Sequence, residues 1–215
     1  MPLGGTSNHF RTATLRELDG WDPFNVTEDA DLGIRIAQLG KRVAMLDSTT
    51  FEEAPTTLRA WLKQRSRWLK GYMQTWLVHT RRPLDLLRNV GPKGFLAFHL
   101  FIGGSVLTAL LNPVLWAVFV ATVFFRMPLF GGPTADAFLI ASGAGLVGGH
   151  AILTGLAVVG PLRRGWGALA PYGFTVTLYW ALISFAAIRG LHQFVFNTFH
   201  WDKTEHGVSR TFRQP

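Results

Sequence analysis

Three long apolar runs restrict the possible folds of this chain more than any other feature of its sequence. They occupy Phe95–Phe125, Asp136–Gly160 and Ala168–Ile188. A helix needs roughly 20 mostly apolar residues to cross a bilayer, and each run reaches that length. The sequence therefore predicts an integral membrane protein with a lipid bilayer as a partner. The alternative, buried helices of a large soluble core, is disfavoured because the polar part of the chain is too small to cover three such runs.

The number of crossings depends on the first run. As one helix it would be roughly 46 Å long at about 1.5 Å per residue, which exceeds a ~30 Å hydrocarbon core. Asn112-Pro113 interrupts it, so we expect two helices, about 95–111 and 113–125, with one kinked span as the alternative. The chain then has four membrane crossings with two helices in this run, or three with one kinked span. An even number is preferred because it returns both flanking polar segments to one side, although four crossings would place Arg163-Arg164 outside, against the cytoplasmic bias of basic residues.

The net charge of +8 agrees with a membrane protein. Basic residues collect on both sides of the apolar runs, as in cytoplasmic loops, namely Arg81, Arg82, Arg88, Lys93, Arg189, Lys203, Arg210 and Arg213. We therefore expect no nucleic acid as a partner. The chain has no cysteine, which excludes disulfides and cysteine-ligated metals.

The polar segment before the first run is predicted to mix helix and strand. A helix is expected over Glu28–Leu39, because Thr27 is an N-cap candidate, acidic residues fill the first turn and Gly40 follows the last. A second helix, over about Thr57–His79, is basic and rich in tryptophan and leucine, which suits a membrane interface. The remaining predicted elements are a loop at Gly4–Asn8, a short helix at Thr12–Leu18 and a strand at Arg42–Leu46.

Two motifs on these helices carry chemistry. In Thr27-Glu28-Asp29, a carboxylate at a helix N-terminus could take the proton from a sugar hydroxyl, although helix capping alone would also explain it. Gln64, Arg67 and Trp68 share one helical face. Guanidinium groups bind diphosphate oxygens and an indole suits the apolar face of a pyranose. The alternative is a membrane-surface helix with a snorkelling arginine.

Read in order, the motifs resemble the C-terminal half of membrane-bound family 2 glycosyltransferases, the group that includes cellulose synthase and hyaluronan synthase. The residues that carry this resemblance are Gly4–Asn8, Gly20-Trp21-Asp22, Thr27–Leu32, Gln64–Gly71 and Trp201–Gly207. The resemblance implies an α/β fold, a partial GT-A-type glycosyltransferase domain, followed by an all-α transmembrane helix bundle. It divides the chain into the end of the catalytic domain (1–56), an interfacial helix with a linker (57–93), transmembrane helices (94–190) and a cytosolic tail (191–215).

The resemblance also assigns roles. It implies that Asp29 is the general base of an inverting transfer from a nucleotide-sugar to a glycan or lipid acceptor. It places Lys203 and Thr204 in a gating segment, and it implies a bacterial-type inner (plasma) membrane with the catalytic part in the cytosol. The residues expected to bind substrate are Glu28, Gln64, Arg67, Trp68, Asn8 and His9.

The chain departs from the family in one respect. The Asp-x-Asp motif that holds the divalent metal is absent in the expected context, so we expect no metal ligand here, although the full enzyme should use Mg²⁺ or Mn²⁺. We therefore predict a fragment that is inactive without its missing N-terminal half, which binds donor and metal. The alternative functions are a non-enzymatic membrane channel or partner subunit and a small transporter, and the transporter is disfavoured because the apolar runs hold few ionisable residues.

Overall fold

The computed structural model describes residues 3–127 and 131–198, and these residues form seven α-helices with two short helical segments of other types. A π-helical turn at His99–Gly103 precedes α5, and a 3₁₀ segment at Gly167–Thr175 precedes α7. The α-helices are α1 (Thr12–Glu17), α2 (Glu28–Gln38), α3 (Leu58–Thr80), α4 (Pro83–Phe98), α5 (Gly104–Val123), α6 (Pro133–Arg163) and α7 (Val176–Phe196).

The predicted α/β fold class, with a partial GT-A-type domain, is wrong for the part of the chain that the structure describes, because no strand occurs in it. The candidate strand Arg42–Leu46 has no regular secondary structure, and Met45 and Leu46 are 81% and 78% exposed. A strand is stable only when neighbouring strands satisfy its backbone groups, and a single alternating segment has no such neighbour here. The helices that follow are compatible with the predicted helical bundle.

The predicted bounds of α2 are correct to within one residue, although the Thr27 side chain makes no capping hydrogen bond. Its first turn carries Glu28, Asp29 and Asp31, whose negative charges oppose the helix dipole favourably. At the other end, Gly40 has a positive φ of 68°. The Lys41 N–H donates to the Ile36 carbonyl (3.2 Å), which closes the helix in the manner of a Schellman motif.

The helix break in the first apolar run does not lie at Asn112-Pro113, as predicted. α5 continues through Pro113, and the Asn112 side chain is held by the Ser184 hydroxyl (Nδ2–Oγ 3.5 Å). The chain bends before this run, at Gly91, which has φ 70° and precedes Pro92. Glycine adopts this left-handed conformation without a steric penalty, and proline then restarts the helix with its φ already suitable.

The chain forms two compact units, of which the first contains the candidate site. The first unit comprises the described residues up to Leu107 and from Ala186 onward, and the second unit comprises Thr108–Phe185. A small apolar core in the first unit brings α2, α4 and the π-helical turn together, and it consists of Ile34, Leu86, Phe98 and Ile102. α3 contributes Tyr72 and Trp76 to its edge.

Three helical segments are long and apolar enough to cross a membrane among the described residues. They are Pro83–Val123, Ala135–Arg163 and Gly167–Phe196, with 41, 29 and 30 residues. Most of their large apolar side chains face outward; Leu100 and Leu156, for example, are 63% and 65% exposed. Such surfaces on a water-soluble protein would mark an interaction site, and a bilayer is one environment that covers them.

Candidate active site

The segment just before α2 is fixed by one face of α3. The Asn25 amide donates to the Thr75 hydroxyl (Nδ2–Oγ1 2.9 Å), and both side chains are buried. The Val26 N–H donates to Gln74 Oε1 (3.3 Å), and Arg67 Nη1 donates to the Val26 carbonyl (3.4 Å). Because positions 74 and 75 lie about two turns beyond position 67 on α3, this helix holds the short segment along its length.

A glycine allows the two predicted motifs to touch. A Cβ atom at Gly71 would lie 2.3 Å from Thr27 Oγ1 and 2.5 Å from Thr27 Cγ2. No side chain fits there without moving one of the two elements. Thr27-Glu28-Asp29 and the Gln64–Gly71 motif, which are far apart in sequence, are therefore in direct contact.

Asp29 is the second residue of α2 and is half-buried. Burial raises the pKa of its carboxyl group above the ordinary value, and the adjacent charge of Glu28 raises it further, whereas the Ala30 N–H and Arg67 act in the opposite direction. Burial also lowers the pKa of Arg67, which Glu28 and Asp29 partly restore. Asp29, Glu28 and Arg67 thus interact electrostatically. Because its pKa is raised, the Asp29 carboxylate is a stronger base than that of an exposed aspartate.

Two further groups lie next to Asp29. Burial raises the pKa of the Tyr72 hydroxyl, and the charge of Asp29 raises it further. Tyr72 follows Gly71, which is in contact with Thr27, two residues before Asp29. A Cβ atom at Gly5 would lie 3.1 Å from Asp29 Oδ2, so the backbone of the N-terminal loop closes over the carboxylate. Tyr72 is not among the residues predicted from sequence, although its position one turn beyond Trp68 on the same face of α3 was a signal for it.

The other predicted residues of α3, Gln64 and Trp68, share a helical face but differ in exposure. Gln64 is buried, with 9% of its surface exposed, whereas Trp68 keeps 36% exposed. The guanidinium of Arg65 stacks on the Trp68 ring at 4.2 Å. Trp68 is therefore accessible to a ligand, as its predicted role requires, and the Arg65 guanidinium lies against its ring.

The remaining predicted site residues either make no contact with Asp29 or lie outside the described residues. Asn8 is exposed and donates to the Gly4 carbonyl, and the His9 ring nitrogen Nδ1 lies 3.1 Å from the Ser7 carbonyl, so these hydrogen bonds stay inside the loop. Neither contact joins these side chains to Asp29. Lys203 and Thr204 lie outside the described residues.

A buried charge cluster that the sequence analysis missed orients α2. Asp31 is 3% exposed, and its carboxylate meets His79 Nε2 at 2.8 Å and Arg35 Nε at 2.7 Å. Arg35 also donates to the carbonyls of Leu18 and Gly20 (2.7 and 2.9 Å). Burial alone would raise the pKa of Asp31, but the hydrogen bond from His79 and the charge of Arg35 outweigh it and lower that pKa. The spacing of four residues between Asp31 and Arg35 was the available signal.

The described residues do not fit a divalent metal. They include no group of three histidine, cysteine, aspartate or glutamate side chains that could hold an ion. Mg²⁺ and Mn²⁺ prefer carboxylate and other oxygen ligands. No metal is therefore assigned to this part of the chain.

Comparison with known proteins gives a consistent identification. The sequence model of a family described as "Glycosyl transferase family group 2" matches residues 1–201. The chain is 28% identical over 135 residues to "Probable glycosyltransferase YdaM" of Bacillus subtilis (strain 168), which is 60% of this chain and 30% of that protein.

Two plant proteins are also similar. The chain is 27% identical over 146 residues to "Probable glucomannan 4-beta-mannosyltransferase 10" of Arabidopsis thaliana, covering 65% of this chain and 26% of that protein. It is 33% identical over 88 residues to "Probable glucomannan 4-beta-mannosyltransferase 3" of the same plant, covering 40% and 15%. The chain thus spans less than a third of the length of these relatives. No solved structure matches.

Proposed function

The chain belongs to glycosyl transferase family group 2, with cellulose synthase-like relatives, and on that premise we propose that its first unit supplies the proton-accepting and acceptor-binding part of an inverting sugar transfer. The donor is a nucleotide-sugar and the acceptor is a hydroxyl group of a glycan or a lipid. One observation carries the proposal: the start of α2, with a half-buried Asp29 of raised pKa, is in direct contact with α3 at Gly71, and Arg67 of α3 donates to the Val26 carbonyl.

In the proposed step, the Asp29 carboxylate accepts the proton of the acceptor hydroxyl while that oxygen attacks the anomeric carbon. The bond from this carbon to the nucleoside diphosphate breaks, and the leaving diphosphate keeps the electron pair. Attack on the face opposite the leaving group inverts the configuration. A base with a raised pKa is better matched to this proton transfer near neutral pH, and the Arg67 guanidinium is suited to the diphosphate oxygens.

The names of the plant relatives favour a hexosyl donor. Both are called glucomannan mannosyltransferases, so we propose a hexosyltransferase that contributes to polysaccharide synthesis. Trp68, which is 36% exposed, offers an indole for the acceptor sugar.

We further propose that this polypeptide needs a donor- and metal-binding partner segment, corresponding to the N-terminal half of the family's catalytic domain. Without positive charge at the leaving diphosphate, transfer is strongly disfavoured. The described residues offer no metal-binding group of three. The chain alone, assayed with several nucleotide-sugars and Mg²⁺ or Mn²⁺, should therefore show no donor turnover. Robust metal-dependent transfer would refute this incompleteness.

Residence in a plasma membrane, of the bacterial inner-membrane type, with the site on the cytosolic side is also proposed. Its support is the three long apolar segments and the basic residues that flank them.

The central test uses the complete enzyme, with the donor-binding half present. Asp29→Asn keeps the shape of the side chain but removes the base, so we expect transfer to fall by at least about 10²-fold while nucleotide-sugar affinity is retained. Asp47→Asn, an exposed carboxylate in the same unit, is the matched control and should transfer normally. Equal loss of transfer and donor affinity in Asp29→Asn would instead indicate a structural role.

A further inference from the structure

Four large side chains form a continuous stripe along α3. Trp61, Arg65, Trp68 and Tyr72 follow one another at spacings of four, three and four residues, which places them on one helical face. The Arg65 guanidinium lies 5.6 Å from the centre of the Trp61 ring and 4.2 Å from that of Trp68. At about 1.5 Å per residue, the two indoles are roughly 10 Å apart along the helix axis.

Apart from Tyr72, which packs at the edge of the apolar core, the stripe differs from the other faces of α3, which are engaged inside the unit. One face holds the segment before α2 through Gly71 and Gln74. Another packs on α7, where a Cβ at Gly190 would lie 2.8 Å from the Ser66 carbonyl. The indole of Trp68, in contrast, remains 36% exposed, and Trp61 and Arg65 are only partly buried.

The chemistry of the stripe suits a sugar chain. Indoles present large, rigid apolar faces with a polar edge, and pyranose rings have apolar faces bordered by hydroxyl groups. Arg65 Nε is buried and has no hydrogen-bond partner among the described residues. A buried donor without an acceptor is unfavourable, so an oxygen atom of a ligand would complete it.

The stripe also has a direction. Its Tyr72 end is the end near Asp29, because Gly71, the neighbour of Tyr72, is in contact with Thr27, two residues before Asp29. Trp68 is one turn further away and Trp61 about three turns. A linear ligand along the stripe would therefore place one end at the proposed base and extend from it towards the start of α3.

We propose that Trp68, Arg65 and Trp61 bind successive sugar units of a linear glycan acceptor whose terminal hydroxyl reaches Asp29. This inference rests on the proposed function and narrows its acceptor to a glycan chain. Trp61 and Arg65 are then acceptor-binding residues in addition to Trp68. A tryptophan–arginine stripe that only anchors α3 at a membrane surface is the competing explanation.

The experiment measures binding of glucose and of β-1,4-linked gluco- and manno-oligosaccharides of two to five units to the detergent-solubilised chain by calorimetry. We expect affinity to increase at least about tenfold from one to three units and then to level off. Trp61→Ala should remove this gain while leaving the affinity for the disaccharide unchanged. Trp61→Phe, which keeps an aromatic ring, should restore part of the gain and shows that the variants fold.

The matched control is Trp166→Ala in the second unit. Trp166 is 47% exposed and also stacks with an arginine, Arg164, at 5.6 Å, so the substitution removes a similar pair elsewhere. Affinity that does not depend on glycan length, or an equal loss in both alanine variants, would overturn the proposal. So would a Trp61→Ala variant that binds all sugars normally but loses its association with liposomes.

Binding and catalysis fail separately in this design. Asp29→Asn should bind the oligosaccharides as the unmodified chain does, since the carboxylate lies at the end of the stripe. Length-dependent binding together with an Asp29→Asn enzyme that still transfers sugar would contradict the proposed base and leave the glycan stripe intact. Normal loss of transfer in Asp29→Asn without length-dependent binding would contradict the stripe alone.

Discussion

At the scale of single residues, Gly71 decides whether the site can form. A Cβ atom there would overlap Thr27, at 2.3 Å from its Oγ1. Gly71→Ala should therefore force α3 away from the segment before α2, and we expect a loss of roughly 1–3 kcal/mol in the free energy of unfolding, as in other overpacked sites. Thermal unfolding of the detergent-solubilised chain measures it. Gly145→Ala, where no atom lies within 4 Å of the added Cβ, is the control, and a destabilisation equal to that of Gly71→Ala would contradict the argument.

The pKa of Asp29 gives the site its pH dependence. A base must be deprotonated, and burial raises the pKa of Asp29, so the transfer rate should fall on acidification at a pH above the ordinary aspartate value of about 3.9. Because the charge of Arg67 lowers that pKa, Arg67→Met should shift the acid limb of kcat/KM to still higher pH. Arg59→Met, an exposed arginine at the start of α3, should leave the limb unchanged. A limb that Arg67→Met does not move would argue against contact between the two charges.

The sequence motifs indicated which two segments meet better than they indicated the individual contacts. Glu28, Asp29 and Arg67 were assigned from their motifs, and the structure places them in one electrostatic cluster. Tyr72 and Gly5 were not assigned, because their importance depends on their proximity to Asp29. That proximity follows from packing between segments far apart in the chain, for which local periodicity contains no information.

At the scale of elements, the orientation of α2 depends on the buried cluster around Asp31. Removing one partner of a buried, hydrogen-bonded charge pair typically costs about 3–5 kcal/mol, and Asp31 is 3% exposed between His79 and Arg35. Asp31→Asn should destabilise the chain by an amount of this order in thermal or denaturant unfolding. Asp85→Asn removes an exposed acid 3.9 Å from Arg88 and should cost less than about 1 kcal/mol.

The same cluster predicts how stability changes with pH. The pKa of Asp31 is lower in the folded chain than its ordinary value, so its contribution is fully present above about pH 4 and is lost as the pH falls through the folded-state pKa. In the Asp31→Asn variant this acid-dependent part of the unfolding free energy should be missing. A variant with the same pH dependence as the unmodified chain would show that other carboxyl groups are responsible.

Helices with complete end signals were predictable, whereas interrupted or paired elements were not. α2 ends where Gly40 takes a positive φ, within one residue of the prediction. The prediction of a strand at Arg42–Leu46 was wrong because the alternation of apolar and polar residues is a local pattern, whereas strand pairing depends on distant segments. The prediction of a helix break at Asn112-Pro113 was wrong because a helix tolerates an internal proline where neighbouring groups satisfy the freed backbone groups. Here the Asn112 side chain is hydrogen-bonded to Ser184.

At the scale of the whole molecule, a contact inside the first unit limits the number of membrane crossings. Lys70 Nζ donates to the Asn197 carbonyl (2.8 Å) and Gln74 Nε2 to that of Thr198 (3.3 Å). α3 precedes the first candidate span, and Thr198 follows the third. Groups in contact lie on the same side of a bilayer, so the chain between them must cross an even number of times. We therefore infer that, if the chain is inserted in a bilayer, not all three candidate spans cross it.

Basic residues indicate which candidate does not cross. If Pro83–Val123 and Ala135–Arg163 cross and Gly167–Phe196 enters and leaves on one side, then Arg163 returns to the side of Arg81, in agreement with the cytoplasmic bias of basic residues. Because the chain has no cysteine, single variants Arg81→Cys, Arg126→Cys, Arg163→Cys and Lys203→Cys can be labelled without background in sealed vesicles. We expect positions 81, 163 and 203 to react from one side and position 126 from the other. If position 163 reacts from the same side as position 126, Ala135–Arg163 is the segment that does not cross. If positions 81 and 203 react from opposite sides, the even number of crossings is contradicted, and with it the contact between α3 and the end of α7.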